Sequence, residues 1–143
     1  MNFPHQYVVQ GRAQAEGLVT LSGEKLQSLN SAAPAQFGGP GTEWSPEDLL
    51  VAAVADCFIL SFRAIAAASK FAFHELKVTV DGTLDRVERE MLFTEFEINA
   101  RLVVDADVDA ARAQRLLEKA EQTCLVTNSL KSKVHLHAEV IHG

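Results

Sequence analysis

Basic residues are scarce in this chain: 13 Lys and Arg stand against 19 Asp and Glu, a net charge of −6. Neutralising phosphates needs a basic face, so this balance argues against a nucleic-acid binder. It equally disfavours docking onto anionic membrane surfaces. Cysteine is scarcer still, with two in 143 residues. Cys57 and Cys124 form no C-x-x-C pair, and no Cys/His cluster has zinc-ligand spacing. The opening stretch MNFPHQYVVQ has neither the basic start nor the apolar core of a secretory signal. A reducing, cytoplasmic setting is therefore expected, where two cysteines do not form a standing structural disulfide. They are either two inert buried thiols or the two halves of a distant redox pair.

Long apolar runs are equally few. One stretch, LLVAAVADCFILSFRAIAAA over residues 49–68, has the length of a bilayer span. It carries Asp56 and Arg63 near its middle, each costing about 2.5–3.5 kcal/mol on an insertion scale. Its many alanines add little hydrophobicity. The run reads as the central helix of a soluble protein, covered on most sides.

What is present is ordinary globular composition in a chain sized for one domain, residues 1–143. Residues 7–21 read as two short strands around a turn at Glu16-Gly17. Residues 30–44, NSAAPAQFGGPGTEW, are rich in Gly and Pro and read as an irregular loop. Ser45 then suits a helix N-cap, Pro46 the first helical position, and Glu47 and Asp48 the positive end of the dipole. Asp48, three residues after Ser45, makes an acidic capping box. The helix is expected to run to about Lys70.

Two alternating strands follow. Leu76, Val78, Val80 and Leu84 form the apolar side of the first, and Phe96, Ile98, Ala100, Leu102 and Val104 that of the second. A charged turn at residues 85–90 joins them into an antiparallel hairpin with one wet face. Residues 107–123 read as a second helix, whose stripe Ala113, Leu117, Ala120 leads to Cys124. The last segment, KVHLHAEVIHG, reads as a strand with Val134, Leu136, Ala138 and Val140 on one face. The fold class is α+β.

The segment FGGPGTEWSPEDLLVAAVADCF, followed at a distance by AEQTCLVTNSLK, resembles the OsmC/Ohr family of thiol-dependent peroxidases. The family pattern is a glycine-rich loop, an N/S-P-E helix start and a cysteine ten residues after the glutamate, as Cys57 follows Glu47. A second cysteine opens a C-x-x-x-N stretch, as in Cys124 and Asn128. The resemblance covers nearly the whole chain. It implies antiparallel sheets packed around a long central helix and an intertwined homodimer with active sites at the subunit interface. It also implies reduction of organic hydroperoxides without cofactor or metal. Cys57 would attack the peroxide, Cys124 would resolve the resulting sulfenic acid as a disulfide, and Glu47 would orient the site. An external dithiol, of lipoyl type among others, would reopen the disulfide.

Several positions depart from the family pattern. Where one branch or the other carries an activating arginine, this chain has Gln36 and Ala15, with Arg12 the nearest substitute. Asp56 precedes the first cysteine, where a carboxylate disfavours a thiolate. Leu125 stands where a proline commonly follows the second cysteine. The alternative is therefore a family scaffold that binds ligands or serves stress responses without peroxidase activity. Read without the resemblance, Cys57 is a small hydrophobe in an alanine-rich helix, and Glu47 is a helix-terminal acid. His135 and His137 lie two apart on the final strand, as a metal pair would, but no third ligand at suitable spacing is evident.

Overall fold

A computed structural model describes residues 2–143. The chain divides into two compact units, one up to Leu50 and one over Val51–Gly143, and each is described by itself.

The first unit holds β1 (Gln10–Arg12), β2 (Val19–Ser22) and β3 (Leu29–Ser31), a three-stranded antiparallel sheet in that order. The expected turn between β1 and β2 is there, with Gly17 at φ 95°, a left-handed backbone that glycine adopts without strain. β3 lies at the start of the stretch read as a loop. Three residues are too few to show an alternating pattern, and it pairs because Val19 and Leu21 of β2 stand opposite Ser31 and Leu29. The glycine-rich loop beyond contains a single 3-10 turn, Ala35–Phe37. Gly39 passes so near the Ala33 carbonyl that a Cβ there would lie 1.6 Å from its oxygen, so no other residue fits.

Helix α1 (Pro46–Ala68) starts as its sequence dictates. The Asp48 N–H donates to Ser45 Oγ at 3.0 Å, while Asp48 Oδ2 accepts from the Ser45 N–H at 3.1 Å and from Ser45 Oγ at 2.9 Å. This reciprocal box satisfies end donors that helix geometry leaves unpaired. At the other end no glycine or proline intervenes, yet the helix stops at Ala68. Lys70 turns left-handed at φ 53°, the Phe71 N–H donates to the Ala66 carbonyl and the Lys70 N–H to that of Ala67. Those two bonds are a Schellman cap with lysine at the position glycine usually takes.

In the second unit, the buried residues of α1 are Val54, Phe58, Phe62 and Ala66, a single stripe at four-residue spacing. The helix is long and apolar enough to cross a membrane by length and composition, but 22% of its apolar window is buried in the chain. One face is fully buried, and most of the remaining apolar residues of the helix are half-buried, so one chain gives part of the expected cover.

The hairpin of β4 (Glu75–Val87) and β5 (Glu90–Val104) is antiparallel as expected, with Val78 opposite Ala100 and Val80 opposite Ile98. It reaches further than the apolar alternation shows: the register shifts between Thr83 and Leu84, so the expected core-facing Leu84 is exposed, and the residues beyond it carry no core-facing pattern. Phe96, Ile98, Ala100, Leu102 and Val104 are all buried. Opposite Phe96 sits Gly82, where a Cβ would lie 2.9 Å from Val51 Cγ2 of α1 and 3.0 Å from the Phe96 ring. Glycine here lets the helix approach the sheet.

Helix α2 (Ala110–Gln122) buries the expected Ala113, Leu117 and Ala120. It is capped by Asp109, whose carboxylate accepts from the Ala111 N–H. A short helix, α3 (Leu125–Asn128), and β6 (Lys133–His142) complete the chain. The α+β class holds, with one pairing that alternation does not reveal: β6 joins β5 in parallel. The intervening α2 makes this possible, because a helical crossover returns the chain to the same end of the sheet.

Candidate active site

Cys57 follows Asp56 and precedes the buried Phe58 on α1, so its side chain lies at the edge of the packed stripe and is half-buried. Ser61, one turn on, places its hydroxyl 4.0 Å from the Cys57 sulfur. Cys124 is fully buried and is the N-cap of α3, with extended backbone at φ −67° and ψ 113°. It thus sits at the corner where α2 ends and α3 begins.

That corner is held by its own polar side chains. Thr127 Oγ1 donates to the Cys124 carbonyl, and the Asn128 N–H also donates to that carbonyl, at 3.0 Å. Asn128 Nδ2 donates back to the Gln122 carbonyl at 3.2 Å. The C-x-x-x-N stretch is therefore a corner-closing device. Its consequence is to bring the free N–H groups of Leu125 and Val126, the first two residues of α3, to the Cys57 sulfur.

The two thiols meet there, and their acidities are driven apart. Burial pushes the Cys57 thiol up, but the Val126 N–H, the Cys124 thiol, the Ser61 hydroxyl and the Leu125 N–H all donate toward its sulfur and bring it below the ordinary cysteine range. Burial raises the Cys124 thiol, and the neighbouring Cys57 sulfur raises it further against the opposing pull of Thr127. When one proton is lost from the pair, it leaves Cys57. Both cysteines are free thiols. The arrangement is a thiol made more acidic by backbone donors, with a less acidic thiol at its side.

The remaining candidates fall elsewhere. Glu47 occupies the first turn of α1, and its Oε1 is buried without a hydrogen-bond partner. Asp56 and Arg63 are exposed on α1, and Arg12 is exposed on β1. Ser61 and the amides of Leu125 and Val126 were not singled out by motif. The four-residue offset of Ser61 from Cys57 was available as a signal, whereas backbone donors leave none. A polar depression of about 310 Å³ on the outer sheet face is lined by Lys77, Thr79, Asn99, Arg101, His137 and Glu139, and includes neither cysteine. Parallel pairing sets His135 beside Glu97 and near Glu95, a grouping that spacing along the sequence does not show and that leaves out His137.

The fold and the paired thiols define a class. The family model described as OsmC-like protein matches residues 39–139, and the chain belongs to that family. Peroxiredoxin OsmC of Escherichia coli is 28% identical over 99 residues, covering 69% of this chain and 67% of that protein. The organic hydroperoxide resistance protein of Xanthomonas axonopodis pv. citri is 28% identical over 115 residues, covering 80% and 79%. An OsmC-like protein of Vibrio cholerae superposes with a TM-score of 0.86 at 15% identity, over 95% of this chain and all of that one.

Proposed function

We propose that this protein is a two-cysteine thiol peroxidase that reduces organic hydroperoxides. The observation that carries the reading is the meeting of Cys57 and Cys124 with acidities displaced in opposite directions. The Cys57 thiolate attacks the outer peroxide oxygen; the O–O bond breaks, the alcohol leaves with a proton, and Cys57 becomes a sulfenic acid. The Cys124 thiol condenses with it, forming the disulfide and releasing water. An external dithiol, of lipoyl type among the candidates, exchanges with the disulfide and returns both thiols while becoming oxidised itself. Dithiol and hydroperoxide thus give disulfide, alcohol and water. A cytoplasmic, reducing compartment suits such a reductant, and the chemistry uses no bound cofactor.

The working unit in this reading is a homodimer. Outside its buried stripe, most apolar residues of α1 are only half-buried in one chain. Leu60, one turn from Cys57, is 52% exposed, and Leu125, next to Cys124, is 77% exposed. A second copy and an apolar peroxide tail would both cover such residues. Glu47 precedes Cys57 by ten residues of continuous helix, about 15 Å of axis. That is beyond side-chain reach, so Glu47 serves the Cys57 of the other subunit. Its unpartnered Oε1 leaves it free to orient a group there.

The rival reading is an OsmC-like scaffold without peroxidase activity, favoured by Gln36 and Ala15 at the arginine positions. One experiment separates the two. Reduced protein is treated with one equivalent of cumene hydroperoxide and digested for mass spectrometry. A Cys57–Cys124 disulfide with loss of two hydrogens is expected. Thiols that stay free, or that overoxidise without pairing, overturn the mechanism.

A further inference from the structure

The outer face of the β4–β5–β6 sheet carries chemistry that the thiols do not use. On β5, Phe96, Ile98 and Ala100 point into the core, which leaves Glu95, Glu97 and Asn99 on the opposite face. β6 runs parallel beside it, with Lys133 in register with Glu95, His135 with Glu97 and His137 with Asn99. Neighbouring strands lie about 4.8 Å apart, so same-face side chains at these positions converge. One ligand atom from each of Glu95, Glu97 and His135 lies within 4.8 Å of the other two. Glu97 is further held by His137, whose Nε2 lies 2.5 Å from its Oε2. That contact holds the carboxylate in place, as outer groups do for metal ligands.

We propose that Glu95, Glu97 and His135 form a binding site for a divalent transition metal of the zinc class, with one coordination position open to water. Two carboxylates and one imidazole are a zinc-type donor set, and three protein ligands leave the fourth place free. A tetrahedral shell of radius about 2.0 Å needs donor atoms about 3.3 Å apart. The remaining contraction is within the swing of partly exposed side chains. Calcium and magnesium demand six or more oxygens, and an imidazole is a poor ligand for them. The two carboxylates balance the charge of the ion. Asp81, opposite Glu97 on β4, adds attraction. Lys133 opposes it, and among the described residues Lys133 makes no ion pair with Glu95. Bound there, the ion adds a side-chain tie between β6 and β5 to their parallel backbone pairing.

The test is cobalt and zinc titration of the untagged, reduced, full-length chain. One equivalent of Co²⁺ is expected to give d–d bands of nitrogen and oxygen ligation, without sulfur-to-cobalt charge transfer. Zn²⁺ should displace it and raise the melting midpoint. His135→Ala and Glu95→Gln, both at the sheet surface, should each abolish the bands and the melting shift. A spectrum dominated by sulfur ligation would place the ion on Cys57 and Cys124 and overturn the proposal. So would the absence of stoichiometric uptake, or uptake unchanged in both variants.

Discussion

The Cys57 side chain on α1 meets Cys124 at the N-cap of α3, and the same corner delivers the Val126 and Leu125 amides to the Cys57 sulfur. In the proposed reaction, a single loop conformation would therefore supply both the resolving thiol and the donors that favour the attacking thiolate. No cation is needed for this effect, which gives a physical role to the corner in a chain with Gln36 and Ala15 at the arginine positions. Donors aimed at a thiolate in a partly desolvated place act more strongly than they would in water.

The first prediction concerns the acidity of Cys57. Its thiol is shifted down, so at a given pH its thiolate fraction exceeds that of an unperturbed cysteine and falls as pH drops through the lowered value. Alkylation of Cys57 by iodoacetamide, followed against pH, should show a midpoint below that of free cysteine. Cys124→Ala removes a donor and should move the midpoint up, whereas Cys124→Ser keeps a donor and should move it less. A midpoint unchanged by Cys124→Ala would show that the two side chains do not communicate.

Leu125→Pro should be tolerated. Position 125 is the first residue of α3, where proline is favoured because its missing N–H is an unpaired helix-end donor. Cys124 already has the extended backbone that a following proline requires. The substitution deletes the weakest of the four donors to Cys57 and leaves the Val126 N–H in place. Circular dichroism should be unchanged, with a rise in the Cys57 alkylation midpoint smaller than that of Cys124→Ala. Collapse of the fold would show that the corner needs the Leu125 N–H.

Ser45→Ala tests the start of α1. Ser45 is fully buried and exchanges hydrogen bonds with Asp48. Losing an N-cap costs about 0.5–2 kcal/mol, and the Asp48 carboxylate would lose a partner as well. A urea midpoint lowered by a stability loss of about 1–2 kcal/mol is expected. A change within about 0.5 kcal/mol, the usual range for a featureless surface substitution, would mean that water replaces the cap without penalty.

How much of this was legible depended on whether the relationship was local in sequence. The Ser45–Asp48 box, the Ala113, Leu117, Ala120 stripe and the alternation of β5 all lie within a few residues, and all appear as read. The Cys57–Cys124 pairing is distant and was reachable through resemblance to a family pattern. The parallel pairing of β6 was not readable, because alternation gives a strand its face but not its neighbour. The grouping of Glu95 and Glu97 with His135 was hidden for the same reason. The Val126 and Leu125 donors escaped because every residue type but proline carries the same N–H.

The last prediction tests where Glu47 acts. On one continuous helix, ten residues place Glu47 about 15 Å along the axis from Cys57. In a two-fold dimer each site would then combine Cys57 of one subunit with Glu47 of the other. Glu47→Gln and Cys57→Ser should each be nearly inactive as pure proteins. Mixed in equal amounts and allowed to exchange subunits, half of the dimers become hybrids. Each hybrid has one site with both residues intact and one with neither, so activity should recover to about a quarter of the unmodified protein. If Glu47 acted on the cysteine of its own chain, no hybrid site would be intact. Peroxidase turnover of the mixture would then stay at the average of the two parents.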